Sequence, residues 1–160
     1  MNYQGFCLLT LIRKFISLNR IHKIAFIEAY VLLGVIRFAI LTLPFRWLTH
    51  SLVQSAESDV VIKLLNLQQQ SMLSIVACSI RKAAVHTPWQ SVCLPQALTA
   101  YRMLHRRGVP GQLYLGLRKD AKSADPLEAH AWVQAGDTII TGEKRHETFT
   151  VISVFTWGQS

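Results

Sequence analysis

A cysteine followed two residues later by proline, Cys93-Leu94-Pro95, and a histidine set between small residues, Ala129-His130-Ala131-Trp132, are where this 160-residue chain offers covalent chemistry. Proline has no amide hydrogen and fits without penalty only in the first turn of a helix. A helix must therefore start within a residue or two of Cys93. A thiol at that place meets unpaired backbone N–H groups and the positive end of the helix dipole, and both favour the thiolate that attacks carbonyl carbon. The same N–H groups can stabilise a tetrahedral oxyanion. Most lone cysteines are simply small buried hydrophobes. That reading suits Cys7 and Cys78, each inside an apolar run, and the helix-start position sets Cys93 apart.

His130 is the natural base. On a strand, His130, Trp132 and Gln134 face one side and Ala129, Ala131 and Val133 the other, and the small neighbours leave room for another element to approach. His22, His50 and His105 fall in helical stretches, His86 in an unplaced turn and His146 in a charged loop. For a third, orienting group the sequence offers Glu143. With Gly136-Asp137 as a hairpin turn, the register places Val133 opposite Ile140 and His130 opposite Glu143. Asp137 would sit at the hairpin tip, about 20 Å away at about 3.3 Å per residue. A solvated charge beside Lys144-Arg145 is the competing reading for Glu143. Gln90 as an oxyanion donor and Trp89 as a cleft wall are weaker candidates than plain local structure.

The elements that must position these groups follow from periodicity. Residues from Leu8 to about His50 are almost continuously apolar, and Ile24 to Leu43 reaches the length of a bilayer span, yet Glu28 and Arg37 interrupt it. A long helix buried against the rest of the protein is the first reading and a peripheral amphipathic anchor the second. Pro44 breaks or starts a helix. Ser55 to Asp59 reads as a linker, and a helix follows from about Val60 to Ala84. Cys93 to Arg107 forms the next helix, stopped by Gly108, with Leu94, Ala97, Leu98, Tyr101 and Leu104 on one face. Leu113, Leu115 and Leu117 alternate as a half-buried strand requires. A polar loop from Lys119 to Glu128 precedes the hairpin of Ala129–Ala135 and Thr138–Gly142, and Phe149 to Phe155 is a last strand. Helices followed by an antiparallel sheet make an α+β fold. The expected division is a helical region over 1–84 and a catalytic core over 85–160, in one compact unit overall.

Bulk composition narrows the functions. The net charge is +8, from 17 basic and 9 acidic residues, and is shared evenly between the halves of the chain. Its basic pairs are scattered and not gathered on an aromatic-lined stripe, which speaks against nucleic acid as a partner. Three cysteines with no CxxC spacing suggest neither a zinc site nor a disulfide framework, and no secretory signal opens the chain, so cytoplasm is expected. A mean hydropathy of +0.27 with 51 % apolar residues suggests that a partner or a membrane covers some apolar surface.

Taken together, Thr87-Pro-Trp with Cys93-Leu-Pro-Gln-Ala-Leu98, Leu104-His-Arg-Arg-Gly108, Leu115-Gly116, Glu128-Ala-His-Ala-Trp-Val133 and Thr141-Gly142 resemble the leader peptidases of lasso-peptide biosynthesis, the B proteins. The resemblance implies a transglutaminase-like, papain-related core in which Cys93 and His130 match nucleophile and base. It also implies removal of the leader from a ribosomally made precursor peptide, an ATP requirement, and a lasso cyclase that closes the freed amino group onto a carboxyl side chain. Many members have an aspartate near the end of the strand after the histidine, where this chain has Gly142-Glu143. The small winged-helix leader-recognition domain of some members is not visible in residues 1–75, so a leader-recognition protein acting in trans is the expected partner. The N-terminal helices would then dock on the core, the cyclase, or a membrane or membrane-bound exporter. A transglutaminase-like acyltransferase and a non-catalytic precursor- or cyclase-binding scaffold are the competing functions.

Overall fold

A computed structural model describes residues 19–48, 53–55, 65–119 and 127–158. Cys7, most of the Ser55–Asp59 linker, the helix start at Val60 and most of the Lys119–Glu128 loop lie outside the described residues.

Helix α1 spans Arg20–Thr42 and stops where Pro44 removes the next amide donor. A short helix, α2, covers Phe45–Leu48. Helix α3 spans Leu67–His86 and opens on a reciprocal capping box between Asn66 and Gln69. Helix α4 spans Cys93–His105 and has a buried face wider than the expected stripe, taking in Thr99, Ala100 and Met103 as well. A helix touched on several sides needs this: α4 packs on α1, on α3 and on the sheet. Gly108, at φ +64, ends the helical segment, and the Val109 N–H returns to the Leu104 carbonyl.

The strands are β1 Val53–Ser55, β2 Gly111–Lys119, β3 Leu127–Ala135, β4 Thr138–Thr141 and β5 Thr150–Trp157, preceded by a 3-10 turn at His146–Thr148. They form one antiparallel sheet in the order β1-β5-β2-β3-β4. The fold is α+β. The short strand β1, in a region that shows no alternation, exists through its pairing with β5.

One hydrophobic cluster unites the layers: Ala29 and Leu33 from α1, Val76 and Ile80 from α3, Tyr101 and Leu104 from α4, and Leu113, Ala131 and Val133 from the sheet. Helix α1 enters this cluster by one face only, through Ala25, Ala29, Leu33 and Ile36. Its opposite face leaves large apolar side chains in the open, so the expectation of a buried helix holds for half its circumference. Glu28 belongs to the inward half. It accepts hydrogen bonds from both terminal nitrogens of Arg107 at 2.5 and 3.3 Å, and Arg106 approaches at 3.5 Å. Two of the basic residues at the end of α4 therefore tie the helices together as well as facing solvent.

Candidate active site

Thr87 shapes the turn from α3 into α4. Its hydroxyl donates to the Ala84 or Trp89 carbonyl, at 3.0 and 3.1 Å, and lies 2.8 Å from Ser91 Oγ. Trp89 does not border the cavity described below. Its ring sits on Gly34 of α1, where an added Cβ would fall 2.9 Å from the indole, and meets Tyr30 edge-on. Gln90 is exposed and outside the cavity described below. The chain thus reaches the start of α4 already held against α1.

Cys93 is the first residue of α4, with Pro95 buried in the first turn. The geometry of a helix start leaves the first backbone N–H groups without intrahelical partners. Pro95 has none to offer and the Gln96 N–H reaches the Val92 carbonyl at 3.3 Å, so Cys93 and Leu94 carry the free donors beside the thiol. The thiol is half-buried, and Cys78 is likewise a free, half-buried cysteine.

A cavity of about 590 Å³ opens at this point, bordered by Cys93 and Gln96 of α4, Ala77 and Arg81 of α3, His130 of β3, and the run from Ile140 to Lys144. The structure therefore gathers Cys93, His130 and Glu143 around one space. Among the described residues no hydrogen bond joins the thiol to the imidazole.

The helices cover the sheet face carrying Ala131 and Val133, while the His130 ring stacks with Trp132 and lies 4.9 Å from Phe149 on the other face. His130 nevertheless borders the cavity because the sheet is open beside it. Strand β4 ends at Thr141, and its last pair is Val133 with Thr141. This register corrects the one inferred from the turn. The turn itself is as expected, with Ala135 opposite Thr138 and Gly136 at φ +55. A bulge then adds a residue, so Thr141 and not Ile140 faces Val133, and Glu143 lies beyond the ladder.

The group that meets the imidazole is the carbonyl of Gly142, 2.8 Å from His130 Nε2. A carbonyl only accepts, so Nε2 carries the hydrogen and donates it, which leaves Nδ1 available as a base. Gly142 is required there twice over. Its φ is +77, and a Cβ would lie 2.5 Å from the Ala131 carbonyl oxygen and 2.7 Å from Trp132 Cβ. Glu143 is exposed on the rim, and its backbone carbonyl accepts from His146 Nδ1 at 2.7 Å. Among the described residues its carboxylate has no hydrogen bond or ion pair. Asp137 lies exposed at the hairpin tip.

Sequence reasoning missed several wall residues. Gln96, one turn along from Cys93, was legible from helical spacing, and its amide donates to the Ser91 carbonyl at 2.6 Å. Arg81, Ala77 and Lys144 come from tertiary packing and had no such signal. Thr141 is the most informative. It is 7 % exposed and lines the cavity, and its Oγ1 is buried without a partner.

A free cysteine at a helix start, packed with that helix on an antiparallel sheet that carries a histidine, is an arrangement suited to acyl transfer through a thiol. The model of the Transglutaminase-like superfamily matches residues 39–154, and the chain belongs to that superfamily. The domain fits the general class of cysteine peptidases and acyltransferases. No match to a curated protein or to a solved structure is significant.

Proposed function

We propose that this chain is a cysteine peptidase that removes the leader from a lasso-peptide precursor, with Cys93 as nucleophile and His130 as general base and acid. The observation that carries the reading is the placing of Cys93 and His130 on one open cavity, with Nδ1 free because Nε2 is engaged by Gly142. The assignment of substrate rests on the residue pattern from Thr87 to Gly142 described above.

In this mechanism His130 Nδ1 takes the thiol proton, and Cys93 Sγ attacks the carbonyl carbon of the scissile amide. The N–H groups of Cys93 and Leu94 donate to the resulting oxyanion. As the C–N bond breaks, the imidazolium gives its proton to the leaving nitrogen, which becomes the amino terminus of the core peptide. The leader remains as a thioester on Sγ. Water, deprotonated by the same Nδ1, attacks that carbonyl, releases the leader carboxylate and regenerates the thiol. Substrate must draw thiol and imidazole together, since catalytic hydrogen bonds often form only in the bound complex. Glu143 acts as an electrostatic neighbour of the imidazolium, and the Thr141 hydroxyl donates to the bound peptide.

The enzyme works in the cytoplasm, at a membrane surface, with a leader-recognition protein acting in trans and an ATP-dependent macrolactam cyclase that takes the released amine. ATP is a requirement of the assembly, and no nucleic acid takes part.

Incubation of a candidate precursor with the protein and a leader-recognition partner, read by mass spectrometry, tests this. Two fragments summing to precursor plus water support hydrolysis, and Cys93→Ala should abolish them with folding retained. A crosslinked or cyclised product would mean acyl transfer to an amine. Maturation unaffected by Cys93→Ala would mean a scaffold.

A further inference from the structure

The outward face of α1 carries Ile24, Ile27, Val31, Val35, Phe38 and Leu41, exposed by 53 % at Ile27 up to 68 % at Leu41. These positions recur at helical spacing and form one stripe about 25 Å long at about 1.5 Å per residue. Of the charges within α1, Glu28 is turned inward onto Arg107, Arg20 and Lys23 precede the stripe, and Arg37, between buried Ile36 and exposed Phe38, is half-buried. The helix is thus apolar on its outward face as well as on its core face, unlike a soluble surface helix, and only 22 % of its most apolar 18-residue window is buried. Near the carboxyl end the stripe runs into a groove of about 380 Å³ bordered by Val35, Leu43, Trp47 and Leu98, with Arg102 and Arg106 also on its lining. Trp47 is 62 % exposed.

We propose that this face docks the protein on an anionic lipid surface, α1 lying along the interface. A crossing helix is excluded because the other face of α1 is built into the core through Ala29 and Leu33. Charge selects lipid over a second copy of the chain. Arg102 lines the groove and exposed Arg46 precedes Trp47 on α2, so anionic headgroups would neutralise them, whereas a second copy would bring another molecule of net charge +8 against this face. An exposed tryptophan beside arginines suits the headgroup level, where an indole has one apolar and one polar side. Helix α4 runs from Cys93 to His105, so Arg102 lies about 14 Å and Arg106, just past its end, about 20 Å along it from Cys93, and docking leaves the cavity open. This deepens the membrane location proposed above and is independent of the catalytic assignment.

Flotation of the full chain with vesicles tests it. The protein should float with phosphatidylcholine vesicles containing phosphatidylglycerol, at least tenfold more than with phosphatidylcholine alone, and rising salt should release it. Phe38→Ser combined with Leu41→Ser should abolish flotation while circular dichroism stays unchanged, Arg102→Gln should weaken it severalfold, and Cys93→Ala should leave it intact. Equal flotation on both vesicle types, no flotation, or a lipid-free dimer that Phe38→Ser dissociates would each overturn the proposal.

Discussion

At the scale of single residues the geometry separates two ways of orienting His130. The Gly142 carbonyl already holds Nε2, whereas the carboxylate of Glu143 stands on the rim without touching the ring. Gly142→Ala must relieve a Cβ placed 2.5 Å from a carbonyl oxygen and a φ of +77, so the turn moves and its carbonyl moves with it. The expected result is a fall in kcat of about a hundredfold or more with KM less affected, together with roughly 1–3 kcal/mol of lost stability. Glu143→Gln should cost no more than about 1 kcal/mol, near fivefold in kcat, because the carboxylate is exposed. A steady-state comparison of the two variants decides; a larger loss for Glu143→Gln would make the carboxylate the orienting group. Thr141 gives a second, sharper contrast. Its buried hydroxyl has no partner in the free protein, so Thr141→Val should hold or raise the melting temperature and raise KM by about tenfold. An unchanged KM would leave the hydroxyl without a substrate role.

At the scale of elements, what was legible in the sequence is what local rules control. Pro95 placed the start of α4 at Cys93, and Gly136-Asp137 placed the tip of the hairpin. Register beyond the tip was not legible, because the bulge between β3 and β4 depends on how Gly142 packs against Ala131 and Trp132. The face from which His130 meets the cavity was hidden for the same reason: it depends on where the edge strand stops. Trp89 was readable as local structure, but its partner on α1 was not, since Gly34 lies in an apolar run that shows no sign of a seat for an indole. That seat makes α1 part of the positioning of Cys93. Gly34→Leu should displace Trp89, loosen the Thr87–Ser91 turn and lower kcat, with about 1–3 kcal/mol lost from overpacking. Near-ultraviolet circular dichroism and urea melts would register the displacement, and a wild-type profile in both would show that the indole does not depend on Gly34.

At the scale of the whole molecule, the expected division at residue 84 can be put to a direct test of cooperativity. The cluster around Tyr101 draws Leu33 from α1 and Val76, Ile80 and Ala83 from α3 into contact with α4 and the sheet. Each of Leu33, Val76, Ile80 and Ala83 is 0 % exposed in the folded chain, so a fragment of residues 85–160 would show water a large apolar face of α4. It would also lose the Glu28 partner of Arg107 and the Gly34 seat of Trp89. Small domains have little stability to spare, and stripping two of three layers from a helix buried on several sides removes more than such a domain holds. The fragment should therefore lack a cooperative urea transition and bind hydrophobic dye, whereas the chain from residue 19 should unfold in one step. A sigmoidal melt and dispersed amide resonances for 85–160 would instead show a core that needs no helical cover. In that event α1 and α3 would be attachments to the catalytic unit, and the placing of Cys93 would have to come from the Thr87 turn alone.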